Sequence, residues 1–407
     1  MLFNLKFWLK FSFINLTIVA LLGCIMRYKI GFDFPFLNQK YLLHSHSHFA
    51  FAGWVTHTLM VLMVYFLETK IKDFKSAVYK KIIITNLICA YGMLVFFIIQ
   101  GYGGISIFFS TVSIFISFVF GFQYYKDLKK VDVDYLAVNW FKAAVIFNII
   151  SCIGTFYLAY MMATKNIIPD WYFSSIYYYL HFQYNGWFFF GCMGLFLGHL
   201  NLKKSEHPCF KTTFLLFVIA CVPAYFLSLL WLQLPIWLYS MTAISAIIQA
   251  YAWFQFVYLL KHYKIKFLSS QSTLFRNILI FIGFATSLKF LLQLGSTIPS
   301  LSQESFGFRP IVIAYLHLVL LAFVSLFLLY FIIRNNFIEV TSKFKLGLKI
   351  FIFGIVLNEV VLGIQGIASF SFTTIPVMNE LLFVASLILF FSMGYCSIQV
   401  LKKTQHN

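Results

Sequence analysis

Acidic side chains are scarce in this sequence, and charge of either sign is low. The 407 residues include 12 Asp and Glu against 30 Lys and Arg, and only 10% are charged while 61% are hydrophobic. A water-soluble domain of this size needs more charged surface than that, so composition excludes this class. Apolar stretches of about 20 residues recur along the whole length, which predicts an all-α polytopic membrane protein.

Cysteine motifs are also missing. The seven cysteines form no CxxC and no CxxCH pattern, and most of them fall inside apolar stretches. A disulfide framework, a zinc ribbon and a covalently attached c-type haem are therefore not expected. The first apolar segment, 11–26, has no convincing small-residue cleavage site, so we interpret it as a retained span rather than a signal peptide.

Twelve apolar segments are candidate membrane spans, and together they form one transmembrane domain over residues 1–407. No water-soluble domain fits between or beyond them. The predicted spans, numbered one to twelve in chain order, are 8–27, 45–67, 82–100, 104–123, 139–162, 175–199, 212–231, 236–260, 276–295, 309–333, 346–369 and 379–401.

Basic residues are concentrated in alternate loops, those after spans two, four, six, eight and ten. The opposite loops hold only Arg27, Lys29, Lys40, Lys165 and Arg309. This positive-inside pattern predicts that both termini are cytoplasmic. We interpret the chain as a multi-pass protein of a bacterial inner membrane. It also accounts for the net charge of +18 without a nucleic-acid partner, and it leaves the lipid bilayer as the expected surroundings.

The stretch LHSHSHFAFAGWVTHTLM, residues 43–60, is the most unusual part of the chain. It places His44, His46, His48 and His57 on span two. Imidazoles at membrane depth are costly unless they face the protein interior and find partners. Two further spans that begin on the same predicted outer side carry histidine in the outer half of the bilayer, His181 in span six and His317 in span ten.

Helical geometry divides the span-two histidines into two sets. At about 100° per residue, His44 and His48 share one face, while His46 points nearly opposite. His57 returns to the face of His46, roughly 16 Å deeper. One face is expected to bind a cofactor and the other to pack against a neighbouring helix, and the sequence does not distinguish them.

Haem with two axial histidines is the leading interpretation of these residues. Haem is a large apolar disc whose iron takes an imidazole from each of two facing helices, and the preferred pair is His48 and His317. The alternative interpretation is that each histidine is simply buried and hydrogen-bonded. A copper or zinc site without haem is a further alternative, since imidazole suits both metals, although no carboxylate or thiolate cluster lies nearby in sequence.

Twelve spans with histidines in spans two, six and ten resemble subunit I of the haem-copper oxidase superfamily. The resemblance implies a low-spin b-type haem between a span-two histidine, His48 or alternatively His44 or His46, and His317. The stretch His46-Ser47-His48 with Gly53 is also similar to the HxH and downstream Gly of NnrS-type haem- and copper-containing proteins. Those are twelve-span proteins associated with nitric oxide tolerance.

The departures from the family pattern concern the oxygen-reducing centre. Tyr315 stands where the family has the first histidine of its span-ten HxH motif, and span seven lacks the adjacent histidine pair that binds copper. His181 matches the span-six copper ligand, with Tyr184 three residues later. These two are expected to line a second pocket, for a metal, a gas or a quinol. The sequence leaves open whether copper or a second haem binds there.

Away from the span ends, Lys289 and Glu359 are the clear ionisable residues inside the predicted spans. They are expected to pair with each other, or Lys289 is expected to face a haem propionate or to extend outward to the membrane surface. Two such groups do not make a proton channel.

The sequence thus predicts a haem protein that passes electrons or binds nitric oxide or oxygen. A quinol or cytochrome partner, with accessory subunits, would deliver the electrons. The alternatives are a histidine-lined transporter or metal-handling permease without haem, and a structural subunit that has lost its cofactors.

Overall fold

The computed structural model describes residues 3–263, 272–302, 309–370, 372–373 and 375–402. It is helical over 84% of its length, and the described residues form no strand. The α-helices, α1 to α15 in chain order, are Leu5–Gly31, Gln39–Phe49, His57–Lys70, Ala77–Gln100, Gly104–Leu128, Leu136–Ala163, Pro169–His181, Phe189–His199, Cys209–Cys221, Ile236–His262, Thr273–Gly295, Arg309–His317, Leu326–Arg334, Ser342–Phe370 and Met378–Lys402.

Ten helices in the described part of the chain are long and apolar enough to cross a membrane, or eleven if one bent pair counts as a single span. This confirms a multi-pass bundle of membrane helices. Span six is not among the ten, although the chain is helical from Pro169 to His199 in three consecutive segments. The count of twelve stays a prediction.

The chain divides into two compact units. The first contains residues 1–120 and 331–407, and the second contains residues 121–330. In the first unit, α15 packs along both α1 and α14. In the second, α6 packs against α7 and α8, and α9 packs against α10.

The bent pair is span seven. Its first helix, α9, ends at Cys221, and a 3₁₀ segment continues from Pro223 to Leu229 at an angle of 45°. Proline has no N–H to donate and its ring clashes with the preceding turn, so a bend at this place follows from the sequence. Pro223 therefore accounts for the bend.

A glycine turn joins α4 to α5 between Gln100 and Gly104. Gly101 has φ of +58°, in the left-handed region that glycine adopts without a steric penalty. A Cβ at this position would clash with the ring of Tyr41. Both the backbone conformation and the contact therefore require glycine.

Candidate functional site: histidines beside π-helical segments

Every π-helical segment in the described part of the chain follows a histidine. The segment Ala50–Thr56 begins two residues after His48, Phe182–Phe188 directly follows His181, and Leu318–Ser325 directly follows His317. These are the histidines of spans two, six and ten. A π-helix is rare, and where it interrupts an α-helix it frequently marks a functional site.

Side chains from two neighbouring helices satisfy the main chain of the first π segment. Asn15 of α1 donates from Nδ2 to the carbonyl of Gly53 at 2.5 Å, and Asn86 of α4 donates to the carbonyl of Ala52 at 3.2 Å. The hydroxyl of Tyr91 donates in turn to Oδ1 of Asn15 at 2.6 Å. Both asparagines are buried. No water reaches these carbonyls in an apolar environment, so the asparagine side chains supply the hydrogen bonds that water would otherwise make.

The second π segment is held through its side chains instead. Gln183 donates from Nε2 to Oδ1 of Asn148 and to Oγ of Ser151, each at 2.8 Å, and both partners lie on α6. Gly186 lets the two helices approach closely, since a Cβ there would lie 2.6 Å from Cβ of Phe147. The π turn in span six is therefore fixed against α6.

His44 and His48, on one face of α2, contact aromatic side chains of the first unit. The His44 ring lies 4.6 Å from the Tyr102 ring, and the His48 ring stacks on Phe97 at 4.3 Å with 20° between the planes. Nε2 of His48 is 3.0 Å from the Tyr102 hydroxyl. Nε2 of His44 is buried and has no hydrogen-bond partner.

The opposite face of span two packs on α1. His46 lies beside Gly23, where a Cβ would be 3.4 Å from its Cε1. His57 places Nε2 3.2 Å from the carbonyl of Trp8, and its side chain is fully buried. Both faces of span two thus contact a neighbouring helix: His46 and His57 face α1, and the His48 ring stacks on Phe97 of α4. The cofactor face stays a prediction.

His181 has both ring nitrogens engaged within the second unit. Asn185 donates from Nδ2 to Nδ1 at 3.1 Å, which makes Nδ1 the unprotonated nitrogen. Nε2 then carries the hydrogen and donates to the carbonyl of Cys221 at 2.9 Å. A metal ion at His181 would have to replace one of these bonds.

Spans six and ten meet through two tyrosines of the second unit. The rings of Tyr184 and Tyr315 are 6.1 Å apart at 71°, and the Tyr184 ring is 6.4 Å from the His181 ring. The Tyr315 hydroxyl is buried without a hydrogen-bond partner. The structure thus brings together three of the residues that the sequence singled out.

His317 is oriented by its own helix. Its Nδ1 lies 2.9 Å from the carbonyl of Ile313, one turn earlier. A carbonyl only accepts, so Nδ1 carries the hydrogen and the lone pair of the neutral ring is on Nε2.

Lys289 of α11 is buried, with 1% of its side chain exposed. Its Nζ lies 3.8 Å from the centre of the Phe290 ring and 5.4 Å from that of Phe189. The described residues of its unit place no carboxylate within 4 Å of the ammonium. This burial argues against the alternative in which Lys289 extends outward.

Glu359 lies on α14 in the first unit and is half-buried. Its Oε1 accepts a hydrogen bond of 3.1 Å from Nδ2 of the preceding residue, Asn358. The predicted pairing of Glu359 with Lys289 stays a prediction.

The described residues contain no group of three or more His, Cys, Asp or Glu side chains placed to hold a metal ion. Sequence reasoning also missed residues that matter here. Single asparagines inside apolar spans, Asn15 and Asn86, were a signal of polar contacts between helices. Lys142, near the start of span five, was a further ionisable residue within a predicted span.

No family model and no curated protein matches this chain.

Proposed function

We propose that this chain is a haem-binding integral membrane protein of the haem-copper oxidase-like class, acting in electron transfer or in the binding of nitric oxide or oxygen. The observation that supports it is the recurrence of a histidine followed by a π-helical segment in spans two, six and ten. The same three spans carry the resemblance to the oxidase subunit.

The ring of His317 suits an axial ligand. Haem iron binds an unprotonated imidazole nitrogen, and ligating histidines generally donate their other N–H to a carbonyl or carboxylate. The bond from Nδ1 to the Ile313 carbonyl fixes that tautomer and the orientation of the ring.

The span-two ligand is assigned to the face that carries His44 and His48. His46, on the other face, lies beside Gly23 of α1, and we propose a packing role for it. His48 is the ligand that the sequence favours, and its Nε2 lies beside the Tyr102 hydroxyl. His44, one turn earlier, has a buried Nε2 without a partner, so we treat both as candidates.

Bound haem would supply a one-electron redox centre and, where an axial position is open, a site for a diatomic gas. The chain's own contribution is to orient imidazoles and to surround them with apolar rings such as Phe97. Oxygen reduction is not part of the proposal, because the span-seven histidine pair is absent and Tyr315 replaces the first span-ten histidine.

Absorption spectra of the purified protein test the proposal. We expect a Soret band, reduced-minus-oxidised bands of b-type haem and stoichiometric iron. His317→Ala is expected to abolish or shift these bands, and so is one of His44→Ala and His48→Ala. The matched control is His262→Ala, since His262 is exposed and stacks on Tyr258.

A protein that folds and carries neither iron nor a Soret band contradicts the haem proposal. Zinc or copper in its place would favour the metal-handling permease. If haem binds but the reduced protein responds to neither nitric oxide nor oxygen, the function is electron transfer, and quinol oxidation then identifies the partner.

The proposal includes a bacterial inner-membrane location with both termini cytoplasmic. Its support is the concentration of lysine in alternate loops. Fusions of alkaline phosphatase to the C-terminus are expected to be inactive, and fusions to the loop after span five active. Active fusions at the C-terminus and inactive fusions in that loop would show the opposite orientation.

A further inference from the structure

Two lysines of the second unit converge on one tyrosine ring. Nζ of Lys129 lies 5.6 Å from the centre of the Tyr125 ring, and Nζ of Lys142 lies 5.8 Å from it. Tyr125 is near the end of α5, whereas Lys142 lies on α6. The Tyr125 ring therefore has two ammonium groups near it, one from Lys129 just after α5 and one from Lys142 on α6.

A third lysine is brought to this place by two loops that are bonded together. The N–H of Leu136 donates to the carbonyl of Leu202 at 3.0 Å, and the N–H of Lys204 donates to the carbonyl of Asp134 at 2.8 Å. Nζ of Lys204 then reaches Oδ1 of Asn139 at 3.3 Å. Asn139 precedes Lys142 by three residues on α6, so the two share a helix face.

The charges at this place repel one another. Partial burial lowers the pKa of Lys204, and the nearby ammonium of Lys142 lowers it further. The carboxylates of Asp134 and Asp132 oppose this effect. That of Asp134 is held by hydrogen bonds from the N–H and hydroxyl of Ser205, at 3.0 and 2.6 Å.

No carboxylate among the described residues of this unit lies within 4 Å of Lys129, Lys142 or Lys204. The ion pair that forms nearby joins Lys130 to Asp127 at 2.5 Å. Lys129 and Lys142 thus share the Tyr125 ring, and Lys142 is close enough to Lys204 to lower its pKa. Nζ of Lys204 bonds to neutral acceptors, the Val133 carbonyl and Asn139, and forms no direct ion pair with the described residues of its unit. Such an arrangement favours the binding of an anion.

We propose that Lys129, Lys142 and Lys204 bind the phosphate group of an anionic phospholipid, and we define these three lysines as the headgroup site. Lys142 lies six residues beyond Leu136, where α6 begins, which is about 9 Å along the helix axis. It is half-buried on a helix that is long and apolar enough to cross the membrane. This depth corresponds to the headgroup layer, and basic pockets between membrane helices are known to hold anionic headgroups.

Native mass spectrometry of delipidated protein with phosphatidylglycerol or phosphatidylcholine tests the headgroup site. We expect wild type to retain phosphatidylglycerol in preference to phosphatidylcholine. The double substitution Lys142→Gln with Lys204→Gln is expected to weaken the tightest-bound phosphatidylglycerol by about tenfold or more. The matched control is Lys72→Gln with Lys75→Gln, which removes two exposed lysines from a loop of the first unit.

Two further variants keep the test decisive. Lys142→Gln alone preserves the bond between Lys204 and Asn139 and is expected to lose part of the affinity, while Lys142→Arg with Lys204→Arg is expected to retain it. Equal loss in the control variant would show non-specific attraction and overturn the proposal. Protection from thermal unfolding by inorganic phosphate alone, equal to that by phosphatidylglycerol vesicles, would assign the site to free phosphate and also overturn it.

Discussion

His181 donates a hydrogen bond from Nε2 to the main-chain carbonyl of Cys221, 2.9 Å away, at the residue where α9 ends and span seven bends. The change from α to 3₁₀ geometry at Pro223 disrupts the regular main-chain pairing, so a carbonyl at the bend needs a donor from elsewhere. His181 supplies that donor from span six. Its position in the structure is explained by this contact without a metal ion.

Replacement of His181 is therefore expected to act on stability. His181→Ala leaves the Cys221 carbonyl and the Asn185 amide without partners, which costs about 1–3 kcal/mol for each buried group. We expect a lower unfolding temperature for the purified protein, with unchanged metal content and haem absorption. His262→Ala is the control.

A contrary result would be informative. If His181→Ala removes copper or iron while the unfolding temperature stays at the wild-type value, the metal role that the sequence predicted for His181 and Tyr184 is correct.

Asn15 is expected to stabilise the π segment of span two. Asn15→Leu removes the donor to the Gly53 carbonyl and the acceptor of the Tyr91 hydroxyl, so we expect a loss of about 1–3 kcal/mol per orphaned group. Thermal unfolding of the purified variant measures this. Thr85→Val is the control, because the Thr85 hydroxyl bonds only within its own helix, to the carbonyl of Lys81. An equal loss of stability in both variants would show that Asn15 does not specifically stabilise the π segment.

Local periodicity was sufficient to predict several features of the fold. Apolar length predicted the membrane helices, and the angle of 100° per residue separated His44 and His48 from His46 and His57 correctly. Pro223 predicted the bend in span seven, since proline disrupts a helix through its own covalent structure.

The π segments and the role of His181 were not predictable in this way. A π turn depends on donors from other helices, here Asn15 and Asn86, whose contacts with residues 52 and 53 join distant parts of the chain. The partner of His181 is 40 residues away in sequence. Lys142 was missed because a single lysine near the start of an apolar span hardly lowers the mean hydropathy of that span.

Gly154 is expected to be essential for the packing of α6 against α7. A Cβ at this position would lie 2.5 Å from the carbonyl oxygen of Ser175 and 3.1 Å from the N atom of Tyr179, both main-chain atoms. Gly154→Ala should therefore destabilise the protein by about 1–3 kcal/mol through overpacking. Gly283→Ala is the matched control, since a Cβ there meets nothing within 4 Å and alanine favours the helix by about 1 kcal/mol. Opposite shifts in unfolding temperature are expected, and a destabilised Gly283→Ala alone would contradict the packing.

The buried charge of Lys289 is expected to destabilise the folded protein. Desolvation of an ammonium costs several kcal/mol, whereas a desolvated contact with an aromatic ring returns about 2 kcal/mol. Lys289→Met keeps the length of the side chain and removes the charge, so the unfolding temperature should rise. Lys349→Met, at an exposed position, should change it little.

The same variant separates the two roles left for this lysine. A rise in stability together with a shifted haem spectrum or redox midpoint would place the ammonium near the cofactor, as the haem-propionate interpretation requires. A large fall in stability with an unchanged spectrum would show that the charge has a stabilising partner, as pairing with Glu359 requires. A buried cation costs stability when no carboxylate lies within 4 Å of it, and the described residues of this unit place none there. We therefore expect either a function or such a partner to account for lysine at this position.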